Sequence, residues 1–337
     1  MYTLNSFKRL VIVADNYDPN LANPSQFSRE INRATAKNVK FLKEGFKRIF
    51  DEVIVYDNQS TFLSKVKDHK HDIIFPYWYG HTSRNRQALI PSICEIESLI
   101  YVGADAYSNI ICCDKVLSKD ICRLNDVKFP KFKVIQSTSE IINWEHDFPV
   151  IIKPVYEGSS MGISQDSIQY NLEGAKKQIS FVIDNFNQPA LMEQFIPGKE
   201  ISVAIVGWET NIKVWSAAER SHVKDEFFFD NHVYGYDEKR LNNDVILKDA
   251  RYLINPMMLK GLFTLFGWLD KVEYLRIDGK IYKGEFYCFE LTNDTSLHPN
   301  GSFFGQLKYL GLDFESSLKL LINNCLERYN NQLANQQ

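Results

Sequence analysis

The sequence predicts an α/β protein of two or three domains, and three observations support this prediction. Its 337 residues exceed the roughly 100 to 200 of a typical single domain. Strand and helix patterns alternate over the first hundred residues, which is typical of a parallel sheet covered by helices on both faces. After residue 104 the pattern changes to short strands, turns and helices of an α+β type. We therefore expect domains at residues 1–104, 105–206 and 207–337.

The individual elements follow from the periodicity of apolar residues. Short runs of apolar and β-branched residues predict strands at 10–14, 52–56, 72–78, 131–135, 148–154, 191–196 and 200–206. Apolar residues at helical spacing predict helices within 32–50, 109–124, 254–266 and 315–329. Between these elements lie a polar, aromatic stretch at 221–240 and a hairpin at 273–292.

Composition excludes several classes of function. Thirty-nine Lys and Arg against 42 Asp and Glu give a formal charge of -3, and no segment forms a basic stripe, so nucleic acid is not an expected partner. No apolar run reaches the roughly 18 residues of a membrane helix. The N-terminus lacks the pattern of a secretory signal, so we expect a cytoplasmic protein that does not bind membranes.

The hairpin has the most informative sequence, because register decides which side chains share a face. Its strands, VEYLRID and EFYCFELT, flank a Lys-Gly turn. A three-residue loop would place Asp278 opposite Glu290 and Arg276 opposite Thr292, with Phe289 on the opposite, apolar face. A two-residue loop would instead bury one carboxylate in the core, which is costly without a partner. We therefore predict the three-residue loop.

This register would bring together two carboxylates, a hydroxyl and an arginine. Such a set of hard oxygen ligands suits Mg²⁺, which takes one or two carboxylates together with phosphate oxygens and water. The alternative is a solvated sheet face with an ordinary Arg–Asp ion pair, and the hairpin taken alone favours that alternative.

The segment IIKPVYEGSSMGI at 151–163 indicates a phosphate site. Lys153 ends an apolar strand and needs an anion beside it if it is buried and charged. The small residues that follow, through Gly162, could surround a phosphate with backbone N–H groups, although their order is not that of a Walker A loop. The segment at 191–206 could in turn supply an extended backbone for adenine and a carboxylate for ribose. Each segment has a plain alternative as a surface turn or an ordinary strand.

Taken together and in this order, four segments resemble the D-alanine–D-alanine ligase family of ATP-grasp carboxylate–amine ligases. They are VGADAYSNIICCDKVLSKDIC, FPVIIKPVYEGSSMGIS, LMEQFIPGKEISVAI and the pair YLRID and FYCFELT. The resemblance covers nearly the whole chain. It implies an ATP-grasp fold with an N-terminal Rossmann-like domain, and nucleotide bound between two α+β lobes.

The resemblance also implies roles for individual residues. ATP would be bound by Lys115, Lys153, Glu157, Ser160, Gly162, Glu193, Gln194, Ile196 and Glu200. Two Mg²⁺ ions would be held by Asp278, Glu290 and Thr292, and Arg276 and Ser159 would act at the reacting groups. The γ-phosphate would pass to a substrate carboxylate, and the amine of an amino acid would attack the resulting acyl phosphate. Family members also commonly form homodimers.

The sequence departs from the family where the amino acids would bind. The family's H-G-x-x-G-E-D-G stretch corresponds to YGHTSRNR, in which Arg84 or Arg86 replaces a glutamate. The family's N-terminal glutamate aligns with Ser28, near Glu30, and its Asn after the second metal carboxylate aligns with Thr292. The predicted substrate residues are Ser28, Glu30, Tyr79, His81, Arg84, Arg86, Tyr234, Gly301 and Ser302.

An arginine repels an ammonium group but can pair with a carboxylate. The departures therefore favour an acyl donor that lacks a free ammonium group or carries an additional carboxylate, as in a ligase of specialised metabolism. Two alternatives remain. One is a divergent D-alanine–D-alanine ligase of peptidoglycan synthesis, and the other is a nucleotide-binding homologue without activity.

Overall fold

The first domain is built on a parallel sheet. In the computed structural model, which describes residues 1–15, 33–80, 83–140, 142–241 and 244–335, the order of this sheet is β2-β1-β3-β4. Alternate residues of β1 pack into two separate cores, with Leu10 and Ile12 on one face and Val11 and Val13 on the other. The predicted parallel sheet is confirmed. Its elements are β1 (Arg9–Ala14), α1 (Ala36–Phe46), β2 (Glu52–Tyr56), α2 (Gln59–Lys65), β3 (Ile73–Tyr77), α3 (Leu89–Ile96) and β4 (Ile100–Tyr101).

The region predicted as one helix at 109–124 forms two helices, α4 (Ala106–Cys113) and α5 (Lys115–Leu124). The break lies at Asp114, whose side chain accepts hydrogen bonds from the backbone N–H groups of Val116 and Leu117. Such an N-cap satisfies donors that the first turn of a helix leaves unpaired. It fixes Lys115 as the first residue of α5.

A small antiparallel sheet follows, in the order β5-β8-β6-β7. Its elements are β5 (Phe132–Ile135), β6 (Val150–Pro154), β7 (Ile168–Gln169), α6 (Leu172–Phe186) and β8 (Ala190–Gln194). Helix α6 buries Ala175, Ile179 and Val182 in one core with Ile152 and Met192 of the strands. The apolar end of β6 is therefore covered, and Lys153 lies in a buried position.

The largest sheet is antiparallel, with the order β11-β10-β9-β12-β13. Its strands are β9 (Lys199–Trp208), β10 (Asn211–His222), β11 (Val245–Asp249), β12 (Tyr274–Tyr282) and β13 (Glu285–Thr292). The remaining helices are α7 (Tyr236–Leu241), α8 (Pro256–Trp268), α9 (Ser302–Lys308) and α10 (Phe314–Asn335). Within the ranges given above, no helix combines the length and apolar character that crossing a bilayer requires.

The grouping of elements differs from the predicted division at residues 105 and 206. Strand β9 pairs with β10 and β12 rather than with the small sheet. Ile121 and Cys122 of α5 share a core with Ile201 and Leu275 of the large sheet. Helices α4 and α5 and strand β9 therefore pack with the large sheet, because their apolar residues face it.

The hairpin register predicted around the polar residues is confirmed, but the predicted loop is wrong. Asp278 pairs with Glu290, and Arg276 with Thr292. The loop has two residues, both with positive φ, and a β-bulge between Asp278 and Gly279 leaves Phe289 unpaired. The extra residue restores the alternation that a two-residue loop alone would reverse. Phe289, which was predicted to lie on the apolar face, lines the opposite side.

Candidate active site

A single cleft of about 940 Å³ collects most of the predicted site residues. It is lined by residues of the small sheet, the large sheet and the first domain. The predicted residues that line it are Tyr79, Lys115, Lys153, Glu157, Ser159, Ser160, Glu193, Gln194, Ile196, Glu200, Tyr234, Arg276, Asp278, Glu290, Thr292, Gly301 and Ser302.

Three other predicted residues, Gly162, Arg84 and Arg86, do not line the cleft. Ser28, Glu30 and His81 fall outside the described residues.

The polar face of the large sheet forms one wall of the cleft. Pairing across β9 and β12 aligns Ser202 with Asp278, and Asp278 with Glu290. One row along, Glu200 lies between Arg220 of β10 and Lys280 of β12. Alternating residues of neighbouring strands face the same side of a sheet, so charges far apart in the sequence become neighbours here.

Asp278 is held by an arginine from its own strand. Nε of Arg276 lies 2.8 Å from Oδ1 of Asp278, and Nη2 lies 2.6 Å from Oδ2. Burial alone would raise the pKa of Asp278, but the Arg276 guanidinium lowers it below its ordinary value. The Thr292 hydroxyl also reaches Oδ2, at 3.2 Å. Asp278 is therefore an ionised carboxylate with the charge that a cation requires.

Asn293, the residue after Thr292, does not reach the cleft. Its side-chain amide donates to Oδ1 of Asn109 at 2.7 Å in the protein interior. The hydroxyl of Thr292 therefore occupies the strand position at which the family has an asparagine.

Lys153 lies in a buried chain of ion pairs that the sequence did not reveal. Its Nζ lies 2.6 Å from Oε2 of Glu193, and Nζ of Lys119 lies 2.5 Å from Oε1 of the same carboxylate. Burial alone would raise the pKa of Glu193, but the two lysines lower it below its ordinary value. Lys119 lies one helical turn after Lys115, and this i, i+4 spacing on α5 was the signal that could have identified it.

Lys115 contacts both lobes. Its Nζ lies 3.2 Å from Oε1 of Glu290 and also donates to the backbone carbonyl of Glu157. The Glu157 carboxylate itself points away, toward Arg86 at 3.2 Å and the amide of Gln188 at 2.8 Å. The backbone carbonyl of Glu157 therefore contacts the Lys115 ammonium, while its carboxylate accepts hydrogen bonds from Arg86 and Gln188.

The small-residue loop has the backbone geometry of a ligand cradle. Ser159 and Ser160 both have positive φ, at 53° and 59°, and the Ser160 hydroxyl donates to the carbonyl of Tyr234 at 2.9 Å. Gly162 has φ 70°, and a Cβ atom there would lie 2.8 Å from the ring of Phe186. The positive φ and the close ring therefore require glycine at position 162.

The end of the cleft beyond Asp278 and Glu290 is partly apolar. Gln194 and Ile196 line it together with two residues that the sequence analysis did not identify, Phe195 and Phe289. The Lys153 ammonium lies 5.7 Å from the centre of the Phe289 ring. A flat, weakly polar ring such as a nucleobase suits these surroundings.

Lys280 and Arg220 lie on either side of Glu200 in this part of the cleft, and the sequence analysis identified neither of them. Nη1 of Arg220 lies 3.3 Å from the Glu200 carboxylate. Burial lowers the pKa of Lys280 to about 8, although Glu200 opposes the shift. The Glu200 carboxylate therefore lies between two basic side chains, and Arg220 forms an ion pair with it.

The two arginines of the YGHTSRNR stretch take different positions. Arg86 is buried and pairs with Glu157, while Arg84 is exposed and lies over the ring of Tyr156 at 5.8 Å. Their positive charges thus lie outside the cleft. Arg33, which the sequence analysis did not single out, lines the cleft instead, with its Nε 2.7 Å from the carbonyl of Asp15.

The geometry suits the binding of a charged, elongated ligand. Lysines from α5 and β6 face carboxylates from β12 and β13, and apolar residues lie at one end. Among the described residues, no three His, Cys, Asp or Glu side chains cluster closely enough to hold a metal by themselves. Any Mg²⁺ at Asp278 and Glu290 would therefore need further ligands from a phosphate or water.

The fold agrees with solved structures over almost the whole chain. D-alanine–D-alanine ligase from Bacillus anthracis complexed with ATP matches with a TM-score of 0.70 and 16% identity, covering 96% of this chain and 99% of that one. VanG D-Ala:D-Ser ligase from Enterococcus faecalis matches with a TM-score of 0.69 and 17% identity, covering 95% and 99%. These matches show that the chain has the ATP-grasp fold.

The family is shown by the sequence itself. Residues 124–322 match the family model described as D-ala D-ala ligase C-terminus. The D-alanine–D-alanine ligase of Thermotoga maritima is 25% identical, covering 88% of this chain and 93% of its own length. That of Aquifex aeolicus is 24% identical, covering 87% and 95%. The chain belongs to the D-alanine–D-alanine ligase family, as the four sequence motifs predicted.

Proposed function

We propose that the protein uses ATP to activate a substrate carboxylate and couples it to the amine of an amino acid. The γ-phosphoryl group moves to a carboxylate oxygen and ADP leaves. The amine nitrogen then attacks the acyl carbon, phosphate leaves and the amine loses a proton. The observation that supports this most directly is the convergence of Lys115 and Lys153 with Asp278 and Glu290 in one cleft.

The roles of the residues follow from charge. Lys115 and Lys153 bind phosphate oxygens and offset the charge that the transferring group carries. Arg276, fixed by Asp278, faces the oxygen of the reacting carboxylate. When bound, Mg²⁺ supplies further neutralisation of the phosphates, and Asp278 and Glu290 fit it as ligands because they are adjacent carboxylates on one sheet face.

The acyl donor in this proposal is not D-alanine but an acid with an additional carboxylate. Arg33 in the cleft wall, which also contacts Asp15, supports this choice, since an arginine has several N–H donors and can pair with a carboxylate. Arg84 and Arg86 no longer add support, because their charges lie outside the cleft.

A substrate screen tests both parts of the proposal. The purified chain is supplied with Mg-ATP and a matrix of carboxylic acids and amino acids, and released phosphate and ADP are measured. We expect the fastest release with an acidic donor. The fastest release with D-alanine as sole amino acid would contradict the donor assignment. The variant Lys153→Met should abolish turnover, whereas Lys177→Met, at an exposed pair with Glu173, should not change it.

The second candidate is a D-alanine–D-alanine ligase in the strict sense. The similarity to the D-alanine–D-alanine ligases of Thermotoga maritima and Aquifex aeolicus favours it. The same screen separates the two candidates, because this candidate requires D-alanine as both donor and acceptor. The homodimer implied by the family stays a prediction, which sedimentation of the purified chain would check.

A further inference from the structure

Asp294 is a cleft residue that neither the motifs nor the proposed mechanism uses. It lies two residues after the end of β13 and lines the cleft. Its Oδ2 accepts a hydrogen bond from Nε2 of Gln87 at 2.5 Å, and its backbone carbonyl accepts one from the Tyr79 hydroxyl at 2.8 Å. The thiol of Cys113 donates to the Gln87 amide oxygen at 2.7 Å. The carboxylate is thus held by the neutral amide of Gln87, which Cys113 fixes in turn, while Tyr79 holds the backbone of Asp294.

The Asp294 carboxylate has arginines in its neighbourhood but no direct ion pair among the described residues. Within the described part of the chain it forms no ion pair, because the nearby Arg276 directs its nitrogens to Asp278, Thr295 and Ser302. A partly buried carboxylate is stabilised when a cation approaches it.

Asp294 is adjacent in the chain to a residue that contacts Arg276, the side chain proposed to face the reacting carboxylate. Thr295, its neighbour in the chain, accepts a hydrogen bond from Nη1 of Arg276 at 2.7 Å, and Ser302 accepts another at 3.0 Å. In an amino acid the ammonium and the carboxylate are joined to the same small carbon frame. A donor whose carboxylate faces Arg276 therefore brings its ammonium close to this part of the wall.

We propose that Asp294 binds the ammonium group of the acyl donor and selects amino acids over acids that lack this group. This inference rests on the proposed function and makes it more specific, since the donor would carry both an ammonium and an additional carboxylate. A charge-assisted hydrogen bond to the fixed carboxylate supplies the selectivity.

The experiment compares each active amino-acid donor with the 2-hydroxy acid of the same skeleton, at a fixed acceptor. We expect wild type to prefer the amino acid. Asp294→Asn should lower kcat/KM for the amino acid by about 10- to 100-fold while changing that for the hydroxy acid by less than about threefold. Asp294→Glu should recover part of the loss, and the dissociation constant for ATP, measured by calorimetry, should be unchanged. Asp120→Asn, on the exposed face of α5, is the matched control.

Three outcomes would overturn the proposal. The first is an equal loss of kcat/KM for both donors in Asp294→Asn. The second is a wild type that uses hydroxy acids as well as amino acids. The third is an Asp294→Asn variant that needs more Mg²⁺ for half-maximal rate. Failure of the proposed function looks different, because wild type would then release no phosphate with any carboxylic acid.

Discussion

Nζ of Lys115 lies 3.2 Å from Oε1 of Glu290. This contact joins the first residue of α5 to strand β13, so the cation predicted for a phosphate meets the carboxylate predicted for a metal. A bound Mg-triphosphate would face both groups at once. The position of Lys115 depends on the Asp114 cap, and that of Glu290 depends on the bulge in β13.

Replacing Lys115 should impair catalysis more than folding. Lys115→Met removes one cation from the phosphate site, and we expect ADP formation to fall by about 100-fold, the scale observed when one charge-stabilising donor is lost. A coupled assay of ADP release measures this. Lys177→Met, at an exposed surface pair, is the control. A change of less than about threefold for Lys115→Met would exclude a direct role at the phosphates.

Replacing Lys119 should destabilise the fold. Lys119 and Glu193 have side chains that are each 1% exposed, and Lys119→Met leaves the buried carboxylate with only Lys153 as a partner. We expect the free energy of unfolding in urea to fall by about 3 kcal/mol. An unchanged unfolding midpoint would show that Lys119 does not stabilise Glu193.

The Glu193 ion pairs should also make stability depend on pH. The two lysines lower the folded-state pKa of Glu193, so its stabilising contribution is fully present above the unfolded value of about 4.3 and is lost as the pH falls through the lower folded value. The difference in unfolding free energy between wild type and Glu193→Gln should therefore shrink as the pH decreases below about 4.3. Urea unfolding from pH 7 downward measures this. A constant difference would contradict it.

Two glycines with similar backbone angles should respond differently to alanine. Gly162 has φ 70°, and its added Cβ would lie 2.8 Å from the Phe186 ring, whereas Gly284 has φ 77° and no described atom within 4 Å. We expect Gly284→Ala to cost about 1 kcal/mol through backbone strain alone, and Gly162→Ala about 2 to 3 kcal/mol through strain and collision. Thermal unfolding of both variants checks the order. Equal losses would mean that the loop relaxes around the new methyl group.

The pairing of the hairpin could be predicted from the sequence, but its bulge could not. Alternation of polar and apolar residues placed Asp278 opposite Glu290, because a one-residue slip would bury a carboxylate. It did not reveal the bulge, since a two-residue loop with one extra residue gives the same pairing as a three-residue loop. Phe289 was therefore assigned to the wrong face.

The substrate side was less predictable. Arg86 was expected in the cleft, but its position depends on Glu157, which is 71 residues away in the chain. The Asp294 carboxylate is likewise held by a hydrogen bond from Gln87, which is 207 residues away. No local pattern encodes such contacts, because they arise only when separate domains pack together.

The sequence by itself determined the family and the pairing that brings the two carboxylates together. These features follow from local periodicity and from residues close in the chain. Only the tertiary structure decided which charges face the cleft and which neutralise each other in the interior. The reason is that the electrostatic state of a side chain depends on burial and on neighbours supplied by distant segments, as the buried pairing of Lys119 with Glu193 demonstrates.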